Sequence, residues 1–262
     1  MGVTSGPSHL KNLLKKKLYE GQVSFGTWIT IGSPDVPDTL KQLPFDWFVF
    51  DLEHSYYSIE TVRNMMLSLL DSSAIPIVRV GLADQYLIKR ALDIGGYGVL
   101  VPLVNTADDA KKIVNYSKYP PFGSRGSGPV RAAGYGNNLA DYLKTANDEL
   151  LVAVQIETVE ALNNAESIIA TEGVDIVFVG PSDLTMSLGL RTDRGNPRVI
   201  ESMESVIKLC FNHGKIPGVL AATPEEARKW KKLGFRFIAL GSDSKFLFSG
   251  AKNFTEEANK NG

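Results

Sequence analysis

Cysteine is nearly absent from this 262-residue chain: Cys210 is the single one, so no disulfide can form within it and a reducing compartment fits. An excess of charge of either sign is missing as well. Twenty-eight Lys plus Arg stand against 29 Asp plus Glu, a formal net charge of −1, which gives no broad field for nucleic acid or anionic lipid and leaves a small molecule as the expected partner. No apolar run approaches the roughly 18 to 20 residues of a membrane span. The opening MGVTSGPSHLKNLLKKKL has basic residues without a following apolar stretch, and Gly6 stands where a myristoylation signal needs Ser or Thr, so the expectation is a cytosolic protein. Lys15, Lys16 and Lys17 are read as the solvated face of an opening helix. No GxGxxG follows the first apolar run, which argues against a dinucleotide-binding sheet.

What is present is alternation. Short runs rich in Val, Ile and Phe recur at 23–29, 47–53, 75–80, 97–103, 150–157, 174–180, 215–221 and 236–242, separated by segments with helical spacing of apolar residues. Ser58 before VRNMMLSLL and Thr223-Pro224 before ARKWKKL are helix starts, while Gly95-Gly96 and Gly234 are stops. Cys210 falls in the helical pattern from Pro197 to His213 as a core thiol. Eight βα beats, with runs apolar enough to be covered on both faces, predict one α/β domain over 1–262, a (β/α)₈ TIM barrel, ahead of an open doubly wound sheet. The segment from Ser117 to Asp148, dense in Gly and Pro, is the longest gap; it is read as a lid or substrate loop, with helix resuming around Leu139 to Asn147.

In such a barrel the functional face lies where strands end. Gln155 and Glu157 share parity at the end of the fifth run and face a common mouth. A carboxylate there is costly without a partner. Glu157 and Asp183 together offer two hard oxygen ligands for a divalent cation; an ion pair of Glu157 with an arginine such as Arg79 is the alternative on spacing alone. Arg79 closes the third run, where a guanidinium can balance charge developing on an oxygen, or serve as a structural bridge between acids. His54, after Asp51 and Glu53, is the histidine placed for acid/base work; His9 and His213 do not end strands. Backbone N–H groups at Ser182 and Asp183, behind Pro181, are placed to receive a carboxylate or phosphate. No lysine ends any run, so a Schiff-base route lacks its nucleophile.

These residues in this order resemble the HpcH/HpaI family of class II pyruvate aldolases, including its 2-dehydro-3-deoxyglucarate and 4-hydroxy-2-oxoheptanedioate aldolase branches. The likeness runs through SFGTWI, FDLEHS, PIVRV, KRALDIG, LVPLVNTADDA, YPPFGSRG, VQIET, GVDIVFVGPSDL and FIALGSDS. It implies a TIM barrel with a C-terminal helix swapped between subunits, a homo-hexamer, and Mg²⁺, Mn²⁺ or Co²⁺ dependent cleavage of a 4-hydroxy-2-keto acid, such as a 2-keto-3-deoxy sugar acid, to pyruvate and an aldehyde. By that resemblance Glu157 and Asp183 are metal ligands, Gln155 contacts substrate, and Ser182 with Asp183 receives the pyruvyl carboxylate. Arg79 stabilises charge at the keto oxygen, His54 is the acid/base, and Asp93 of ALDIG raises its basicity. Asp93 is expected at the far end of a helix descending from the mouth, so it must reach His54 from another subunit or through a bend. The chain departs from the family pattern at RVGLAD and at Ser182, both of which touch substrate fit, so the acceptor pocket is where its differences fall. The same enolate chemistry also serves an oxaloacetate decarboxylase or a citramalyl/malyl-type lyase, and a non-catalytic carboxylate-binding protein is the third reading. SKFLFSGAKNF leaves Phe246 and Phe248 to bury, against a neighbouring subunit or against the same barrel.

Overall fold

The computed structural model describes residues 11–260. Eight strands, β1 (Ser24–Ile29), β2 (Trp47–Asp51), β3 (Ile75–Arg79), β4 (Gly98–Val101), β5 (Leu151–Ile156), β6 (Ile176–Val179), β7 (Ile216–Ala221) and β8 (Phe237–Ser242), pair in sequence order, all parallel, and close into a barrel. Each lies within one or two residues of the run that predicted it. The helices are α1 (Leu13–Tyr19), α2 (Asp35–Leu40), α3 (Ile59–Leu67), α4 (Gln85–Asp93), α5 (Ala107–Ser117), α6 (Leu139–Glu149), α7 (Val159–Asn163), α8 (Ala165–Ile169), α9 (Pro181–Ser187), α10 (Pro197–Asn212), α11 (Pro224–Leu233) and α12 (Asp243–Ala258).

Two apolar cores follow from the strand alternation. The inward set, including Trp28, Trp47, Val49, Ile77, Leu100, Ala153, Phe178 and Phe237, fills the barrel, and Leu14 and Leu18 of α1 join it, so α1 closes the foot. Trp47 stacks on Phe237 with ring centroids 3.8 Å apart. A Cβ at Gly26 would lie 2.0 Å from Trp47 Cδ2, so only glycine lets that ring cross β1. The outward set packs against the helices, with Cys210 of α10 buried in it and its thiol pushed up to about 12 by burial. Ser58 and Thr223 cap α3 and α11 as expected.

Three expectations need correction or restriction. Lys15 and Lys17 are not a solvated face: Lys15 donates to Leu150 O and lies 3.1 Å from the buried Asp175, and Lys17 pairs with Asp46 at 2.6 Å. Placed at the seam between α1 and the barrel foot, their stems cover apolar surface while their ammonium groups find partners. Of the three, Lys16 alone is largely exposed. The Gly/Pro segment after α5 does contain α6, but it is no lid over this chain's strand ends. α5 runs back from the mouth, so the segment leaves at the opposite end, where Ala132 N–H donates to Asp93 O and Arg131 to Ile94 O at the close of α4. His9 and Gly6 lie outside the described residues.

Candidate active site

β2 ends on Asp51 and β3 on Arg79, and the register sets these two residues side by side. Asp51 Oδ1 accepts from Arg79 Nε at 2.8 Å and Oδ2 from Nη2 at 2.6 Å, a fork-to-fork pair. Arg79 Nη1 lies 2.9 Å from Glu53 Oε2, and its guanidinium sits over the Trp28 ring at 5.3 Å. Arg79 therefore does bridge two acids, Asp51 and Glu53, rather than Glu157. Asp51 is itself pinned: the Tyr57 hydroxyl accepts from Asp51 N–H at 2.7 Å and donates to Ile29 O at 2.5 Å. Asp51 Oδ1 also accepts from the N–H groups of Glu53 (3.0 Å) and His54 (3.3 Å), so the turn that carries both is wound around it. The His54 side chain stands 68 % exposed, with Nε2 3.8 Å from Glu53 Oε2.

Glu157 follows β5 directly and is buried. Gln155 Nε2 donates to its Oε2 at 2.7 Å and Leu103 N–H to its Oε1 at 2.9 Å. Leu103 makes that contact from a left-handed backbone, φ 54°. A Cβ on Gly180 would fall 2.5 Å from Glu157 Oε2 and 3.0 Å from its Cβ, so glycine at the N-cap of α9 is what lets the carboxylate lie against the start of that helix. Pro181 opens α9; Ser182 and Asp183 follow it exposed, and their N–H groups find no acceptor among the described residues.

Charge defines what this rim lacks. Burial holds the Glu157 carboxyl above the usual range; the Leu103 N–H opposes that, Asp183 and Glu53 add to it, and Arg79 offsets part. Glu53 is likewise raised, first by burial, with Arg79 and His54 lowering it and Asp51 and Asp183 raising it again. Glu53 Oε2 is buried without a hydrogen bond of acceptable geometry despite its closeness to Arg79. Three carboxylates thus repel one another beside one arginine already committed to Asp51. An all-oxygen, net-negative donor set suits a hard divalent cation completed by water and substrate oxygens. No cluster of three or more His, Cys, Asp and Glu arranged for a metal occurs among the described residues.

Among the residues singled out from the sequence, Arg79, Gln155, Glu157, Ser182, Asp183 and His54 are gathered at the strand ends. Asp93 is not. It closes α4 at the other end of the barrel, where Arg125 Nη2 donates to its Oδ1 at 2.7 Å, and burial raises its carboxyl against the pull of Arg125 and Lys89. A cavity of about 780 Å³ at that foot, lined by Met66, Tyr97, Arg131, Tyr135 and Tyr142, shares no residue with the rim. Sequence reading missed the parts played by Asp51, Glu53, Leu103 and Gly180. Asp51 and Glu53 stood in the DLEH strand end with matching parity, and the signal was there; nothing local marks Leu103.

A family model described as HpcH/HpaI aldolase/citrate lyase matches residues 24–249. The chain is 37 % identical over 232 residues to a 5-keto-4-deoxy-D-glucarate aldolase of Shigella boydii, covering 88 % of this chain and 90 % of that one. It is 37 % identical over 244 residues to a 4-hydroxy-2-oxo-heptane-1,7-dioate aldolase of Shigella flexneri, covering 93 % and 91 %. Among solved structures, an HpcH/HpaI aldolase/citrate lyase family protein from Burkholderia cenocepacia J2315 superposes with a TM-score of 0.92 at 32 % identity, over 95 % of this chain and all of that one.

Proposed function

The chain belongs to the HpcH/HpaI aldolase/citrate lyase family, and on that premise we propose that it is a divalent-metal-dependent aldolase, reversibly cleaving a 4-hydroxy-2-keto acid of the 2-keto-3-deoxy sugar acid class to pyruvate and an aldehyde. The observation that carries the reading is Glu157: a buried carboxylate fixed by Gln155 and Leu103, with Asp183 and Glu53 raising its proton affinity and no arginine paired to it.

Glu157 and Asp183 would hold the cation, which when bound would supply Lewis-acid polarisation of the substrate's 2-keto oxygen. Ser182 and Asp183 N–H groups receive the substrate carboxylate at the opening of α9. Arg79, its orientation fixed by the two-point grip of Asp51, places a guanidinium edge toward the keto oxygen and stabilises the negative charge that gathers there as C3–C4 breaks. His54, exposed at the rim, takes the proton of the C4 hydroxyl as the C3–C4 electron pair passes into the pyruvate enolate and the aldehyde leaves; a proton delivered to C3 from His54 or solvent then gives pyruvate, and the synthetic direction reverses both transfers. Trp28 and Phe178, in contact beneath Arg79, keep the floor of the mouth apolar, which strengthens each charge interaction above it. The reading includes assembly into a homo-oligomer, a hexamer by the family resemblance, supported by the exposed apolar side chains of α12.

The test is exchange of the pyruvate methyl protons in D₂O, followed by NMR on protein loaded with Mn²⁺, Mg²⁺ or Co²⁺. Exchange is expected with metal and absent in chelator, with Glu157→Ala and Asp183→Ala each lowering the rate by about 10²- to 10³-fold, the scale of losing an electrostatic stabiliser in a dry site. Unimpaired exchange by either variant in chelator overturns the assignment. Parallel assays with oxaloacetate and with 2-keto-3-deoxy sugar acids separate decarboxylation from aldol cleavage, and tight pyruvate binding without exchange would mark a binding protein.

A further inference from the structure

Leu103 combines features that do not belong together in a residue kept for the fold. It stands two positions past the end of β4, between the buried Pro102 and Val104, yet its own side chain is 54 % exposed. Its backbone is left-handed at φ 54°, a region in which a Cβ-bearing residue without a polar side chain is disfavoured. A large apolar side chain that is half in water and sits on a strained backbone adds little to the core. Strain of this kind collects where surrounding contacts over-determine it, at sites that use it.

Those contacts are visible. Leu103 N–H is held by Glu157 Oε1 at 2.9 Å, and the next N–H, of Val104, by Gln155 O at 3.3 Å. The left-handed turn aims one main-chain donor at the Glu157 carboxylate. Covalent geometry then fixes where the side chain starts: Cβ is two bonds from a nitrogen already in contact with that carboxylate. The isobutyl group must therefore emerge at the rim beside Glu157, past the end of β4, the strand that lies between β3, which ends on Arg79, and β5, which leads to Glu157.

We propose that Leu103 is an acceptor-selecting residue: its side chain forms an apolar wall at the rim against which the departing or incoming aldehyde packs, while its strained N–H keeps Glu157 in place. This rests on the aldolase reading above and adds to it the side of the mouth on which aldehyde size is sensed. One extra or missing methylene in an apolar pocket discriminates by about 10- to 200-fold, so a change of three carbons is readily measured.

The experiment uses the metal-loaded protein with pyruvate and a panel of aldehydes graded from short to long and branched, reading the ratio of kcat/KM between bulky and short acceptors, with each variant's own pyruvate methyl exchange as the internal reference. Leu103→Ala is expected to raise the bulky-to-short ratio by at least about tenfold and Leu103→Phe to lower it by a similar factor. Leu103→Gly, which suits the left-handed turn, serves as the folding control: its Tm should not fall below the parent's, as it would if the leucine served the fold. Ratios within twofold of the parent in both Ala and Phe variants, with exchange still present, overturn the role of Leu103 alone. Absence of exchange in the parent overturns the aldolase reading and this inference with it.

Discussion

Gly180 shows how much of this rim is decided by single atoms. Its missing side chain leaves the space that Glu157 Oε2 occupies, and its φ of −88° is one that alanine adopts without strain. Gly180→Ala should therefore leave the backbone intact and push the carboxylate off its seat between Gln155 Nε2 and Leu103 N–H. Apparent Mn²⁺ affinity is expected to fall by about tenfold or more, which is about 1.4 kcal/mol, while the Tm of metal-free protein changes by no more than about 2–4 °C. Calorimetric titration beside a thermal scan reads both; unchanged affinity would mean that Glu157 is not the ligand whose position matters. Asp51 works on the other half of the site in the same way. One carboxylate grips Arg79 at two points and also accepts the N–H groups of Glu53 and His54, so arginine and histidine are placed by a single acid.

At the scale of elements, the strands were legible because a barrel covers both faces of each one, and β-branched and aromatic runs such as WFVF and IVFV admit little else. Parity then placed Gln155 and Glu157 together, and the cap signals at Ser58 and Thr223 set two helix starts. What stayed hidden depends on which end of the barrel a connection leaves from. PPFGSRGSGPVRAAGYGNN looks like a lid by composition, yet it follows a helix rather than a strand and so belongs to the foot. Lys118, at the start of that segment, carries a measurable consequence. Its side chain is buried and donates to Asn147 O; burial first and Lys15 second lower its pKa to about 8, with Asp175 and Asp148 opposing. A base whose folded pKa lies below the unfolded one makes the charged folded state costly, and the unfolded chain binds more protons between about pH 8 and the unfolded value near 10.5. Stability from this group should therefore rise with pH across that window, by about 3 kcal/mol at most. The difference in Tm between parent and Lys118→Met, measured at pH 7.5 and at pH 10, isolates it: the parent should gain on the variant at the higher pH, and a constant difference would show that the ammonium is not under strain.

At the scale of the whole molecule, two observations favour the proposed assembly of several copies over one chain acting alone. α12 buries only Asp243, whose carboxylate accepts from Thr30 N–H and Oγ1 and from Ile31 N–H, so the helix is anchored at its root while Leu247, Phe248 and Phe254 stand 67 to 81 % exposed. Covering three such side chains is worth about 1.5–3 kcal/mol each, a strong drive toward association. Asp93 is the second observation, tied to Arg125 at the foot while His54 stands at the mouth. An acid that acts on His54 from there must belong to another copy. Phe248→Glu with Phe254→Glu should then lower the sedimentation mass, and cleavage activity should fall with it. Mixing inactive His54→Ala and Asp93→Ala proteins, unfolded and reassembled together, should restore a fraction of parental activity, because some sites in mixed assemblies receive both an intact histidine and an intact aspartate. Each variant reassembled alone should stay inactive. If the double Phe variant is monomeric and fully active, or if the mixture shows no recovery while mixed assemblies are present by mass spectrometry, Asp93 has no part in the chemistry and its bond to Arg125 serves only to fasten the foot segment to α4.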